Sequence, residues 1–451
     1  MNLRVRPCQA LRGAVTVPAD KSISHRALLL GGIAEGVSTV RNWLPAADCQ
    51  ATLTAVRAMG VSVEQSSPTE LHIHGVGLRG LKAPAIPIDC QRSGTTMRLL
   101  AGILAGQAFT ITLDGDTGLR RRPMERVAIP LREMGAVVET RNGCPPLVVK
   151  GGNLHGIDYR LPVASAQVKS AILLAALYAE GPSTVRQPGP ARDHTERMLI
   201  AQGAGIELRE DTITLTPGSQ PLKPCSLTVP ADFSSAAFPL VAALLAPNSD
   251  VVLEGVGINP TRTGLIDVLG EMGAELRWLN QAEQAGEPTA DLLIRSPATP
   301  HAPRTPWPGD GAAHDKGLRG TQVGGQTVVR MIDEFPALAV AATQAQGQTL
   351  VRDARELRLK ETDRIGAVVA ELRRLGASVA ERDDGFSVDG PTRLRGARVH
   401  SHGDHRLGMA LVVAGLIAEG ETVVEGAEVI ADSFPGFVGL MRTLGAELDE
   451  E

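Results

Sequence analysis

Six short stretches of this chain bring hydroxyl, acidic and cationic residues to the point where a run of small apolar residues begins. They are Lys21-Ser22-Ile23-Ser24-His25-Arg26, Ser93-Gly94-Thr95-Thr96-Met97-Arg98, Ser165-Ala166-Gln167-Val168-Lys169, Asp232-Phe233-Ser234-Ser235, Asp333-Glu334 and Asp404-His405-Arg406. Serine, threonine and aspartate there are explained by helix N-capping, which needs a short side-chain acceptor. Capping does not ask for Lys21, Arg26, Arg98, Lys169 or Arg406, because a cation at a helix N-terminus opposes the helix dipole. Those cations become favourable when an anion is held there by backbone N–H groups and positive side chains together.

A second group of segments repeats the pattern: Arg120-Arg121-Arg122-Pro123, with Pro123 suited to a first helical turn, then Arg192-Asp193-His194-Thr195-Glu196-Arg197 and Lys360-Glu361-Thr362-Asp363-Arg364. Such a convergence of cations calls for small ligands with several negative charges, as phosphates and carboxylates have. Asp333 and Glu361, acids inside a basic site, are the natural proton-transfer groups.

The elements that must position these residues come from a repeat. A hexapeptide beginning with Met, Leu or Gln followed by Gly recurs at 59–64, 134–139, 202–207, 272–277, 375–380 and 444–449. The copies lie roughly 70 residues apart, too far for a solenoid unit, so each copy marks a small α/β module. Every module starts with an apolar helical run, at 26–33, 97–104, 168–177, 236–245, 337–343 and 407–417. A Gly or Pro turn follows, as at Glu35-Gly36, and then a Thr- and Val-rich strand such as 38–40, 183–185 or 422–424. An amphipathic helix comes next. In 364–375 Ile365, Val368, Val369, Leu372 and Leu375 share one face, and the hexapeptide glycine ends the helix in a left-handed conformation. Two further strands close the unit, which reads βαβαββ.

Helices that are apolar nearly all round are buried. The fold expected is therefore α/β, with two similar domains of three βαβαββ repeats each, sheets outside and helices inside. One interval, from Gly273 to Gly376, is about 30 residues longer than the others. Its proline-rich stretch, 281–321, reads as an exposed loop, with 292–294 as its one candidate strand.

The composition narrows the function classes. A net charge of −5 gives no basic footprint for nucleic acid. Hydrophobic residues make up 43% of the 451-residue chain, enough for real cores. The five cysteines show no C-x-x-C pair and point to neither a disulfide framework nor a zinc site. Residues 1–6 lack the apolar region of a secretory signal, and no apolar run is long enough to span a membrane, so a cytoplasmic location is expected. Gly75-Val76-Gly77-Leu78-Arg79-Gly80 matches G-x-G-x-x-G, but Leu81-Lys82-Ala83-Pro84 after it starts no helix, so it is not read as a dinucleotide site. His72 and His74 alternate on a strand, and His402-Gly403-Asp404-His405 lacks a third metal ligand.

With these residues in view, the chain resembles the 5-enolpyruvylshikimate-3-phosphate synthases over essentially its whole length. The resemblance rests on Arg358-Leu359-Lys360-Glu361-Thr362-Asp363-Arg364, on the three segments beginning at Lys21, Ser93 and Asp404, and on Ser433-Phe434-Pro435. Met331-Ile332-Asp333-Glu334-Phe335-Pro336 and Arg192-Asp193-His194-Thr195-Glu196 are similar to a divergent bacterial branch.

The resemblance implies an inside-out α/β barrel in each domain, with 1–19 and 232–451 in one and 20–231 in the other, and crossovers near Asp20 and Ala231. It implies an active site where the domains meet and close. The implied reaction transfers the enolpyruvyl group of phosphoenolpyruvate to the 5-hydroxyl of shikimate 3-phosphate, by addition and then elimination of phosphate, without metal or cofactor, in a monomer. By the same resemblance Lys21, Ser22, Arg26, Ser165, Ala166 (through its backbone), Gln167, Arg192, Asp333 and Lys360 hold shikimate 3-phosphate. Lys21, Gly94, Arg122, Gln167, Arg364 and Arg406 hold phosphoenolpyruvate and its competitor glyphosate. Asp333 is the base for the hydroxyl, Glu361 handles the methylene proton, and Lys21 assists phosphate departure.

The chain departs from the family at Gln91, which replaces a common Gly, and at Arg92, where many members have Asn. It departs again at Ala166, often Ser, and at Asp432, where some members carry a Lys that binds phosphoenolpyruvate. The sister transferase acting on UDP-N-acetylglucosamine carries a Cys in the loop equivalent to 116–122 and a Lys-Asn pair. This chain has no Cys there and has Lys21-Ser22. A non-catalytic scaffold would not need Asp333, Glu361 and the cations.

Overall fold

Each hexapeptide ends a helix, and its glycine takes the backbone angle that only glycine adopts freely. Gly60, Gly135, Gly203, Gly273, Gly376 and Gly445 all have φ between 87° and 106°, one residue beyond the helix caps Met59, Met134, Gln202, Met272, Leu375 and Leu444. The computed structural model describes residues 1–296 and 317–451. Within it the repeat is a four-stranded sheet with one parallel pair and two antiparallel ones. Ile88–Asp89, Thr110–Asp114, Cys144–Lys150 and Val137–Arg141 lie side by side in that order. The Gly94–Ala105 and Glu125–Glu133 helices connect them.

Among the described residues six sheets of this kind form, three in each of two compact units. One unit comprises Met1–Pro18, Ala231–Ala282 and Pro288–Glu451, and the other Ala19–Pro230 with Glu283–Glu287. The first unit borrows strands from the N-terminus: Asn2–Val5 pairs with Thr422–Glu425 and Leu448–Glu450, and Arg12–Val15 pairs with Asp250–Gly257. In the second unit Leu227–Thr228, late in the sequence, pairs with the early strand Glu35–Arg41. The turn expected at Glu35-Gly36 is thus already strand, because Glu35 and Gly36 pair with Val76 and Gly75.

Each unit has its own apolar core, built on three buried helices. Lys21–Ile33, Gly94–Ala105 and Ala166–Ala176 fill one; Phe233–Leu245, Phe335–Thr343 and His405–Leu416 fill the other. They start up to five residues before their apolar runs, so most of the polar residues are caps or first-turn residues of the helix, while Asp333 lies in the turn just ahead of Phe335–Thr343. Small residues let these helices approach closely. A Cβ at Gly102 would lie 2.3 Å from the Ala171 carbonyl oxygen of the neighbouring helix, so no larger residue fits.

The proline-rich stretch is corrected in part. Leu276–Gln284 and Glu287–Arg295 are two long strands, not a loop. Pro288 is compatible with this because it sits near the start of its strand, where no ladder donor is needed. Ala290, Leu292 and Ile294 face the core. Residues 297–316, with most of those prolines, lie outside the described residues. Pro123 is a second correction: the helix begins at Glu125, so this proline precedes it, after the short turn Leu119–Arg121.

Candidate functional site

The residues singled out in the sequence fall into two clusters, one in each unit. In the Ala19–Pro230 unit the buried helices present their N-termini together. Asp20 caps the first by accepting from the Ile23 N–H, and Ser93 and Ser165 cap the second and third. These account for the bland part of the pattern.

The cations beside the caps are engaged in different ways. Lys21 Nζ lies 2.9 Å from Asp48 Oδ2, with both side chains about one-fifth exposed at 19%. Arg26 is buried; its Nε donates to Thr195 Oγ1 at 2.7 Å, Nη2 to Ser170 Oγ at 2.9 Å and Nη1 to the Ser22 carbonyl at 3.0 Å. Burial pulls its guanidinium down to about 10, against the favourable fields of Glu196 and Asp20, and Arg192 adds a like charge. Arg192 itself is half-buried.

Gly94, Arg98, Arg122 and Gln167 form one neighbourhood. Arg98 Nη1 donates to Gln167 Oε1 at 2.7 Å, and Gln167 Nε2 donates to Thr95 Oγ1 at 3.0 Å. A methyl group on Gly94 would lie 2.8 Å from Arg98 Nη1 and 3.3 Å from Arg122 Nη1. Two guanidinium tips therefore point at the bare backbone of this helix start, the arrangement an anion requires. Ahead of it, Gln91 takes φ 51°, the left-handed angle that a glycine would take at no cost. Arg92, next in the chain, reaches to Asp116 at 3.5 Å.

In the other unit, Arg364 organises the second cluster. Its Nε is 2.7 Å from Asp404 Oδ2, Nη2 is 2.7 Å from Glu361 Oε2 and Nη1 is 3.3 Å from Asp333 Oδ1. Burial opposes the Arg364 charge, but Asp404, Glu361 and Asp333 outweigh it and hold the guanidinium well above the usual arginine range. Arg406 approaches Asp333 from another side at 3.5 Å. Lys360 is half-buried, and that burial pushes its ammonium below the ordinary lysine value while Asp333 opposes the shift. The carboxylates differ in access: Asp404 is closed off at 0%, whereas Asp333 is 14% and Glu361 28% exposed. The first is structural, and the other two are open to a reactant.

The Asp232 helix start shows capping with no such opening. Asp232, Ser234 and Arg262 bond one another inside the protein, and Ser234 Oγ donates to Glu334. Lys169 also departs from expectation: its ammonium is spent inside the protein, on Glu196 at 2.6 Å, on Gln187 and on the Ala191 carbonyl. Asp432 closes the short Ala427–Asp432 turn. Asp48 and Asp404 are partners that the sequence left without a role in the site. Asp48 had a faint signal as the one acid in the first turn of the Ala47–Ala58 helix. Among the described residues no group of three or more His, Cys, Asp or Glu is placed to hold a metal ion.

Comparisons with known proteins cover nearly the whole chain. The family model described as "EPSP synthase (3-phosphoshikimate 1-carboxyvinyltransferase)" matches residues 5–441. A 3-phosphoshikimate 1-carboxyvinyltransferase of Desulforamulus reducens is 48% identical over 449 residues, 99% of this chain and 100% of the relative. The enzyme of the same name from Citrifermentans bemidjiense is 49% identical over 443 residues, 98% of each chain. Among solved structures, an EPSP synthase from Acinetobacter baumannii is similar with a TM-score of 0.86 at 43% identity, covering 100% of both chains.

Proposed function

The chain belongs to the EPSP synthase family, and from that premise we propose which of its residues carry the enolpyruvyl transfer. The reaction is that of a 3-phosphoshikimate 1-carboxyvinyltransferase in the shikimate pathway to aromatic amino acids. The observation that carries the assignment of roles is the shared guanidinium of Arg364. It fixes Asp333 and Glu361, both partly exposed, within reach of one cation.

Asp333 takes the proton of the shikimate 3-phosphate 5-hydroxyl as that oxygen attacks C2 of phosphoenolpyruvate. Glu361 delivers a proton to the methylene carbon, which becomes a methyl group in a tetrahedral adduct. Glu361 then recovers a proton from that methyl, the C2–O bond to phosphate breaks, and phosphate leaves with help from Lys21. Fixed cations stabilise the charge that develops on phosphate and carboxylate without reorganising.

Shikimate 3-phosphate is assigned to Lys21, Ser22, Arg26, Ser165, the Ala166 backbone, Gln167, Arg192, Asp333 and Lys360. Phosphoenolpyruvate is assigned to Lys21, Gly94, Arg122, Gln167, Arg364 and Arg406. Support comes from the geometry inside each cluster, Gly94 with Arg122 and, through Arg98, Gln167, and Asp333 with Arg364 and Arg406, and from the like-charge field of Arg192 on Arg26. No described helix is long and apolar enough to cross a membrane, and the reading extends to a cytoplasmic monomer. Phosphate release from phosphoenolpyruvate, followed with shikimate 3-phosphate and with UDP-N-acetylglucosamine as acceptors, should occur with the first alone. Release with the second and not the first would overturn it.

A further inference from the structure

A buried ion pair lies behind the residues assigned to shikimate 3-phosphate. Lys169 Nζ and Glu196 Oε1 are 2.6 Å apart, and each side chain is 1% exposed. Burying two charges costs as much as, or more than, their attraction returns, so such a pair is weak evidence for stability. This one is not even saturated: Glu196 Oε2 is buried with no hydrogen-bond partner.

What the pair does is fix positions. Lys169 sits on the Ala166–Ala176 helix next to Ser170, and Glu196 sits on the His194–Ala201 helix next to Thr195. Ser170 and Thr195, 2.7 Å from each other, are the two hydroxyls that hold the Arg26 fork. The same ammonium donates to the Ala191 carbonyl at 3.0 Å, immediately before Arg192. Glu196 is also the acid that most favours the Arg26 cation, while Arg192 repels it.

We propose that Lys169 and Glu196 are positioning residues for the acceptor substrate: their ion pair sets the register of two helices so that Arg26 and Arg192 are held, near each other, where shikimate 3-phosphate binds. This rests on the assignment of Arg26 and Arg192 to that ligand. Without the pair, Ser170 and Thr195 lose their mutual placement and the Ala191–Arg192 backbone loses its anchor. The two like-charged arginines then relax apart.

The double variant Lys169→Met/Glu196→Met separates positioning from stability, because an apolar pair of similar size keeps the core filled. Its thermal midpoint should stay close to that of the parent. Its dissociation constant for shikimate 3-phosphate, by calorimetry, and the matching KM should rise about tenfold, the size expected when coupled neighbours are decoupled. The KM for phosphoenolpyruvate and kcat at saturating acceptor should change far less. A folded double variant that binds shikimate 3-phosphate as the parent does would overturn the proposal. Should that variant fail to fold, Glu196→Gln keeps the shape and removes the charge, and is judged by the same split. Arg192→Ala tests the underlying assignment. If it leaves shikimate 3-phosphate binding unchanged, the ligand assignment is wrong; if it weakens binding while the Lys169 and Glu196 variants do not, the positioning role alone is wrong.

Discussion

Arg364 and Asp404 meet through Nε and Oδ2 at 2.7 Å, with side chains 2% and 0% exposed. Asp404 also caps the His405–Leu416 helix by accepting from the Arg406 N–H. One buried carboxylate therefore orients the arginine that holds Asp333 and Glu361 and, at the same time, the helix that carries Arg406. Asp404→Ala leaves a buried guanidinium undercompensated and a helix uncapped. It should cost about 3–5 kcal/mol of unfolding free energy in urea titrations. A loss below about 1 kcal/mol, the size of a cap alone, would show that the pair is not holding Arg364.

His25 gives the protein a defined acid sensitivity. It is fully buried, its Nδ1 is 2.7 Å from Thr52 Oγ1, and burial lowers its pKa from 6.5 to about 3. The unfolded chain therefore takes up a proton below 6.5 that the folded chain refuses until about 3. Stability from this group is whole above 6.5 and falls as the pH drops through that window, by up to about 1.4 kcal/mol per pH unit. Denaturation midpoints from pH 7 to pH 4 should show this slope, and His25→Leu should flatten it. An unchanged slope in the variant would assign the acid loss to other groups.

Much of this was legible in the sequence because two signals were local. The hexapeptide glycine is a backbone requirement, so its six copies marked six helix ends and hence six modules. The polar starts of apolar helices drew attention to the candidate site, because an unneeded cation at a helix N-terminus is unfavourable without an anion. What stayed hidden depended on partners distant in sequence. Lys169 looked like Lys21 from its position, yet a glutamate 27 residues later turns it into the core. Asp48 and Asp404 could not be matched to Lys21 and Arg364 without the fold. The strands at 276–284 and 287–295 were obscured by prolines that mostly lie beyond them.

Gly94→Ala tests the anion pocket. The added methyl would stand 2.8 Å from Arg98 Nη1 and 3.3 Å from Arg122 Nη1, and φ there needs no glycine, so the fold should survive while the guanidinium tips shift. The KM for phosphoenolpyruvate should rise several-fold, about 1 kcal/mol of lost binding. Glyphosate should inhibit the parent competitively with phosphoenolpyruvate and be weakened more by the substitution, because the longer ligand loses more contacts. Equal effects on both ligands, or a parent untouched by glyphosate, would place the glyphosate contact elsewhere.

The central claim is that Glu361 moves the methylene proton, held for that task by Arg364 Nη2 at 2.7 Å. Turnover in deuterated water with shikimate 3-phosphate measures it most directly. The parent should carry solvent deuterium into the methylene of the product, and Glu361→Gln should lose roughly 10²–10⁴ in both kcat and deuterium incorporation while still binding both substrates. A Glu361→Gln enzyme that turns over within a few-fold of the parent and exchanges deuterium at the parent's rate would contradict the account.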